Sequence, residues 1–448
     1  MLTTEQGKSE AIVRAKQQPD DGRLGRDLTF TLLAGLLVKV AFGFSEPLMV
    51  FYYNFKQFSP LDYGLLTAAI YASQTLTAPL MGVLADRIGR RNLLLLTIGG
   101  GLLAVQIPPL TIIFPLLLLN RLLAGAANVG STAALLTLVT DETSGGHPKR
   151  RGRATTLYQG VELGGQLIGL VLASQLFSRI AINSFYVATA VYFLTILIIW
   201  WRVPETRRGR LASGPAEQAQ PSGWQETLAN WKMLFRSRKL WSFLPVWLVV
   251  NAILGMWYAH AGVQLLKNPT ASNQRADQFL MGRFTAGELG LVFLVYAAIF
   301  GTGLAIWSRI ISRWRYAYVM LLASICEITV CVSLLAYNGV GSAGGLAWLL
   351  LVPAGLAVMV ESGFTPAALG YLTDIAEQVG GERARGTVMG FYSTGNSLGN
   401  IIGTFFGILM IQFFGLGLNG LLIGSGLLGV GGVAAVLFLI RRENQGFK

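Results

Sequence analysis

Gly82-Val83-Leu84-Ala85-Asp86-Arg87-Ile88-Gly89-Arg90-Arg91 is a short, densely charged turn set between two long apolar runs. One acid and three arginines crowd together in a chain that otherwise avoids charge: 13% of its 448 residues are charged and 53% are hydrophobic. Apolar runs of this kind recur along nearly the whole sequence. A helix needs roughly 20 apolar residues to cross the hydrocarbon core of a bilayer. Only helices or closed barrels satisfy their backbone there, and these runs far exceed the roughly 10-residue alternating strands of a membrane barrel. The expected fold class is therefore all-α, a polytopic membrane protein, and a soluble enzyme is excluded. Twelve transmembrane helices are expected, at 28–51, 61–83, 92–107, 110–139, 154–177, 183–201, 241–266, 287–308, 316–337, 345–372, 387–414 and 417–440, with Pro108-Pro109 dividing the third from the fourth. Residues 1–27 are polar and mostly basic with no apolar leader, so the first span is the expected targeting element.

The net charge of +13 invites a nucleic-acid reading, but its distribution argues against one. With twelve spans and an inside N-terminus, most of the 35 Lys and Arg residues fall on the inner side. That is the positive-inside pattern. It places both termini in the cytoplasm, makes anionic inner-leaflet lipid the expected neighbour, and locates the chain in the plasma (inner) membrane. Cys326 and Cys331 share one span and imply packing, with no disulfide or metal framework. No phosphate-binding Gly-x-x-x-x-Gly-Lys-Ser/Thr loop is present, so no ATP hydrolysis and no cofactor are expected. No His cluster or nucleophile–base set suggests an enzyme.

Composition changes sharply at one internal segment, 202–240. The expected organisation is a cytoplasmic N-terminal segment 1–27, a six-helix bundle 28–201, a linker 202–240, a second six-helix bundle 241–440 and a cytoplasmic tail 441–448. Within the linker, Trp224, Leu228, Trp231, Leu234 and Phe235 interleave with Lys232, Arg236, Arg238 and Lys239, as in an amphipathic helix lying on the membrane surface. The two halves also resemble each other. Thr140-Asp141 at the end of the fourth span matches Thr373-Asp374 at the end of the tenth, Arg151-Gly152 matches Arg385-Gly386, Tyr158 matches Tyr392, Gly165 matches Gly399 and Gly169 matches Gly403, at a nearly constant offset. Each half holds an even number of spans, so the repeats are parallel, and a substrate site is expected at their interface.

The turn Gly82 to Arg91 resembles the signature between the second and third spans of the major facilitator superfamily. Asn120-Arg121-Leu122-Leu123-Ala124-Gly125 resembles that family's fourth-span Arg-x-x-x-Gly element, and Pro204-Glu205-Thr206 its Pro-Glu-Thr after the sixth span. The resemblance covers residues 28–440, is closest to the twelve-span drug/proton antiporters, and implies two bundles rocking about a central cavity. It implies that spans 1, 4, 7 and 10 line the cavity and that 2, 5, 8 and 11 form the moving interface. Gly82, Asp86, Arg87, Gly89, Arg90, Arg91 and Asp141 then form a gating latch. Asp86 would meet the start of span 11 in the outward-facing state, and Arg90 would pair with Asp141. The free N–H groups and positive dipole end at the start of span 11 suit an anion. A plain positive-inside turn would need only the arginines.

Ionisable residues within spans cost about 2.5–3.5 kcal/mol at a helix centre and are functional candidates by default. Lys39 and Glu46 lie on one face of span 1, about 10 Å apart along its axis. Arg121 lies in span 4, and Glu361 in span 10 between Gly355 and Pro366, where the helix can bend. Lys39, Glu46, Arg121, Asn251 and Glu361 are the expected proton and substrate cavity residues, with Glu46 or Glu361 carrying a transported proton. The bland alternative is that Lys39 or Arg121 merely neutralises Glu46. Glu162 and Glu327 are less well placed, Glu327 reading as a satisfied or lipid-interface residue. His260 reads as a packing residue. Asn128, Trp257 and Tyr258 could contact substrate or pack. Span 5, Gly160 to Gly169, approaches the family's antiporter motif but has Gly165 in place of its proline and Ile168 in place of a glycine.

The expected function is alternating-access transport of a small molecule, a proton-coupled export of an amphipathic compound by a monomer. An uptake carrier for an organic anion or sugar, a lipid or glycolipid flippase, and a transport-dead sensor or scaffold are the alternatives.

Overall fold

The computed structural model describes residues 26–142, 148–203, 237–268, 273–340, 345–379 and 382–445. Most of the linker's amphipathic stretch, up to residue 236, and most of the basic N-terminal segment lie outside these residues, while Arg238 and Lys239, expected within that stretch, open the next membrane helix. Ten stretches are long and apolar enough to cross a membrane. One of them, Gly160–Arg202, holds two helices separated by the turn Ala181–Asn183, and the more polar helix Pro60–Ile88 completes twelve crossings.

The N-terminal half is α1 (Arg26–Phe55), α2 (Pro60–Ile88), α3 (Arg90–Leu110), α4 (Phe114–Glu142), α5 (Pro148–Ile180) and α6 (Ser184–Arg202). The C-terminal half is α7 (Arg238–Leu265), α8 (Ala286–Ile310), α9 (Tyr316–Val340), α10 (Leu351–Glu361), α11 (Phe364–Val379), α12 (Glu382–Ile408, prolonged by the π turn Leu409–Phe413) and α13 (Gly417–Asn444). Helices α10 and α11 together make the tenth crossing. Their break follows Glu361. Pro366 has no amide to continue the ladder, and the Trp307 indole donates to the Val360 carbonyl at 2.9 Å. The expected division at Pro108-Pro109 falls slightly later: α3 runs on to Leu110, with both prolines in its last turn, and the chain leaves the helix at Thr111.

Local signals set the helix ends. Ser59 and Asp62 form a reciprocal capping box at the start of α2, as do Thr285 and Glu288 at the start of α8. Such boxes satisfy amides that have no partner inside the helix. Between α2 and α3 the chain turns on Gly89, whose φ of 91° suits glycine.

Glycines placed alike in the two halves do the same packing work. Gly165 and Gly169 bring α5 onto α1, and Gly399 and Gly403 bring α12 onto α7. A Cβ on Gly169 would fall 2.5 Å from the Val40 carbonyl oxygen, and one on Gly403 only 1.7 Å from that of Ala252. Backbone-to-backbone approach of this kind is how membrane helices associate without a hydrophobic driving force.

Between the halves, α2 packs on α12 and α5 on α8. Calling the end that carries the chain termini the terminal face, the hydrogen bonds joining the halves among the described residues lie at the opposite, far face. There Asn54 Nδ2 donates to the Lys267 carbonyl (3.0 Å), the Leu61 amide to Gln412 Oε1 (2.7 Å) and Gln175 Nε2 to the Gly287 carbonyl (3.2 Å). Ser174 presses against Gly290 in the same layer.

Gly403→Ala should lower the thermal unfolding midpoint in detergent, at an overpacking cost of about 1–3 kcal/mol. Gly160→Ala, where a Cβ meets nothing within 4 Å, should leave it unchanged.

Candidate functional site

Of the charges expected inside the membrane, Lys39, Arg121 and Glu327 are buried and Glu46, Glu162 and Glu361 are half-buried, and they sort by half. Lys39 on α1 is 1% exposed. Its ammonium forms a short ion pair with Glu162 of α5 and donates to Thr132 Oγ1 of α4 at 2.9 Å. One turn beyond Glu162, Gly165 lies against Lys39 Cβ, and this close crossing brings the two charges together. Arg121 on α4 is 4% exposed. Its Nη1 donates to Glu46 Oε2 at 3.0 Å and its Nε to Asn120 Oδ1 at 2.7 Å, while Asn120 Nδ2 donates to the Ala104 carbonyl of α3. The two cations of the N-terminal half are thus each matched by one acid.

Sequence reasoning had Lys39 or Arg121 competing for Glu46. The structure separates them, and Glu162, set aside because of its span, is the partner of Lys39. The oversight arose because span number says nothing about where a neighbouring helix crosses.

In the C-terminal half the acids stand without a base. Glu361, at the end of α10, and Glu327 on α9 lie within hydrogen-bonding reach of each other. Trp257 of α7 neighbours Glu327, and Cys331 Sγ donates to Glu327 Oε1 at 3.3 Å. Glu327 is 6% exposed. The expectation of a lipid-interface residue is corrected: it faces inward, against Glu361. Two carboxyl groups this close, away from water, do not both ionise readily.

Tyr71 (α2), Tyr258 (α7) and Tyr296 (α8) stand between the two clusters. Tyr71 neighbours Glu46 and Tyr258, and Tyr296 neighbours Tyr258, Glu361 and Glu327. Tyr258 is 65% exposed. These phenols thus link the acid of the N-terminal half to the acid pair of the C-terminal half. Asn251 lies elsewhere. It is fully buried in the α7–α12 crossing, where Nδ2 donates to the Trp247 carbonyl at 2.7 Å. Its Cβ meets Gly399 as that of Lys39 meets Gly165, so Asn251 occupies the place in the C-terminal half that Lys39 holds in the N-terminal half.

Of the charged turn, Arg91 donates to the Trp200 carbonyl, tying the start of α3 to the end of α6. Arg87 is exposed and Arg90 half-buried. Gly82 and Asp86 fall in α2 and Asp141 in α4, but their side-chain surroundings lie outside the described residues. Among the described residues, no group of three or more His, Cys, Asp or Glu has the arrangement of a metal site.

Two pseudo-symmetric helical halves, closed on one face around a charged and aromatic interior, define a membrane transporter of the alternating-access type. The Major Facilitator Superfamily family model matches residues 28–271 and 268–448, and the chain belongs to that superfamily. Curated relatives include the class C tetracycline resistance protein of Escherichia coli, 26% identical over 261 residues, which are 52% of this chain and 64% of that protein. The class H tetracycline resistance protein of Pasteurella multocida is 21% identical over 350 residues, 77% of this chain and 78% of that protein. The match thus spans just under two thirds of the length of the class C relative. Among solved structures, the nucleoside transporter NupG superposes with a TM-score of 0.73 at 13% identity, covering 93% of this chain and 99% of its own. A bacterial homolog of the human lysosomal transporter Spinster, inward-facing and occupied, gives 0.65 at 17% identity, covering 94% and 98%.

Lys39→Met should leave Glu162 unpaired in the membrane and destabilise the protein by roughly 3 kcal/mol. Lys39→Met/Glu162→Gln should recover most of that loss. Thermal unfolding of the single and double variants checks the pairing.

Proposed function

We propose that the protein is a proton-coupled exporter of a small amphipathic compound, working as a monomer in the plasma (inner) membrane with both termini in the cytoplasm. The observation that carries this reading is the Glu327–Glu361 pair. It is a pair of neighbouring acids with no base bridging them among the described residues, and two carboxyl groups this close do not both ionise readily. The N-terminal half offers no equivalent, because Glu46 and Glu162 are each held by a cation. The proton site expected at Glu46 or Glu361 is accordingly Glu361, acting together with Glu327. The same pairing weakens the reading as an organic-anion uptake carrier, since Lys39 and Arg121 are both occupied.

The phenols of Tyr71, Tyr258 and Tyr296 suit a cargo with an aromatic or apolar body and polar edges. The tetracycline resistance proteins it resembles make a compound of that character a natural first test. A proton bound at the acid pair when the cavity faces outside, and released when it faces inside, drives the bundles through their cycle in the direction opposite to cargo. Coupling requires only that cargo and proton each bias the same equilibrium. The closed far face, the inner ends of α2 and α12, and the turn Gly82 to Arg91 with Asp141 supply the gates.

Glu327→Gln and Glu361→Gln should each abolish transport driven by a pH gradient in proteoliposomes while preserving cargo counterflow, which moves no net protons. Retention of gradient-driven transport by both variants would overturn the proton assignment. Asp86→Ala should express and unfold like the parent yet lose transport of either kind. Wild-type rates in that variant would remove the turn from the gating mechanism.

A further inference from the structure

The far face, where the halves meet, contains a polar group that the transport site does not use. His260 sits near the end of α7 and is fully buried. Its Nε2 lies 2.9 Å from the Thr404 carbonyl of α12. A carbonyl oxygen only accepts, so Nε2 carries the hydrogen, and in the neutral ring Nδ1 is then a bare acceptor. Nδ1 has no hydrogen-bond partner. One helical turn further along α7, on the same face, Gln264 donates its Nε2 to the hydroxyl of Tyr63, at 3.2 Å. Its Oε1 is likewise buried and without a partner. The imidazole therefore presents a buried bare acceptor, one turn from a buried amide of the same helix face. The Tyr63 ring, from α2 of the other half, meets the His260 ring edge-on at 5.2 Å. Gly64 and Gly407 let α2 and α12 close directly around the imidazole.

We infer that His260 and Gln264 form a second proton-binding site, built into the far gate itself and separate from the transport site. The proton enters at Nδ1 when the gate parts and water reaches the ring. In the sealed gate the resulting imidazolium has only the neutral Gln264 amide one turn along its own helix, and no acid is bonded to it among the described residues. Asp62, beside Tyr63, is engaged in its own capping box. Glu46, one turn before the Val50 that packs on Gly262, is bonded to Arg121. Over Phe391–Phe413 of α12 and Gly417–Ile440 of α13 the sequence contains no acid and no base apart from Tyr392. A buried charge with so little compensation is costly, so the protonated ring favours the open gate and the neutral ring the closed one. Acid on the far side thereby holds the protein open to that side.

The test uses spin labels at Leu61→Cys and Phe413→Cys, at the gate ends of α2 and α12, in a Cys326→Ala/Cys331→Ser background, with distances read between about pH 8 and pH 5.5 to bracket the usual histidine range. The open population should rise on acidification, by up to roughly tenfold per pH unit, the limit for one proton. His260→Gln keeps a donor for the Thr404 carbonyl but cannot titrate, and should abolish the rise. Gln264→Glu keeps the ring and neutralises its charge within the closed gate, so it too should abolish acid opening. Glu361→Gln should leave the rise intact, because the transport site is a different one. A pH-independent distance in the parent, an unchanged rise in His260→Gln or in Gln264→Glu, or loss of the rise in Glu361→Gln would each overturn the inference.

Discussion

A charge inside a bilayer must be answered by another charge, by hydrogen bonds or by a proton, because no water is there to do it. Much of the architecture follows from that constraint. In the N-terminal half the answer is a second charge. Lys39 and Glu162 join α1 to α5, with Thr132 adding α4, and Arg121 joins α4 to Glu46 on α1. Three helices that sequence separates are held by two ion pairs, each fixing a crossing that few other polar contacts specify. In the C-terminal half, among the described residues, Glu327 and Glu361 lie beside each other with no lysine or arginine bridging them. One half is electrostatically closed and the other is left titratable, although their backbones repeat each other.

The same asymmetry runs through the repeat. The glycines that seat α5 on α1 recur where α12 sits on α7, and the backbone crossings are equivalent. The residue against the first of these glycines differs, lysine in one half and asparagine in the other. Lys39 demands an acid in return. Asn251 donates its Nδ2 to the Trp247 carbonyl of its own helix and, being uncharged, demands no acid. Duplication of the helical framework therefore did not carry the chemistry with it.

Contacts within a half differ in kind from contacts between halves. Inside a bundle, helix backbones touch, and displacement means breaking dense packing over several turns. Across the far face, the bridges are single hydrogen bonds from side chains or loop ends, such as Asn54 to Lys267 and Gln175 to Gly287. Rigid bodies joined by a few separable bonds are suited to rocking, and the break between α10 and α11, directly after Glu361, places the titratable pair beside a bend.

The sequence by itself determined the membrane helices, the sixfold division of each half, the charged turn and the glycines of the repeat. All of these are periodic or local signals, readable along one dimension. It also named Lys39, Glu46, Arg121 and Glu361, because any charge in an apolar run stands out. It did not determine which charge answers which. Glu162 and Glu327 looked misplaced by span number, and His260 looked like ordinary packing. Only the tertiary structure decided those points, since pairing depends on where two helices cross and on how each is rotated at the crossing. A single residue of rotation turns a side chain by 100°, enough to exchange a lipid-facing acid for one half of a proton site.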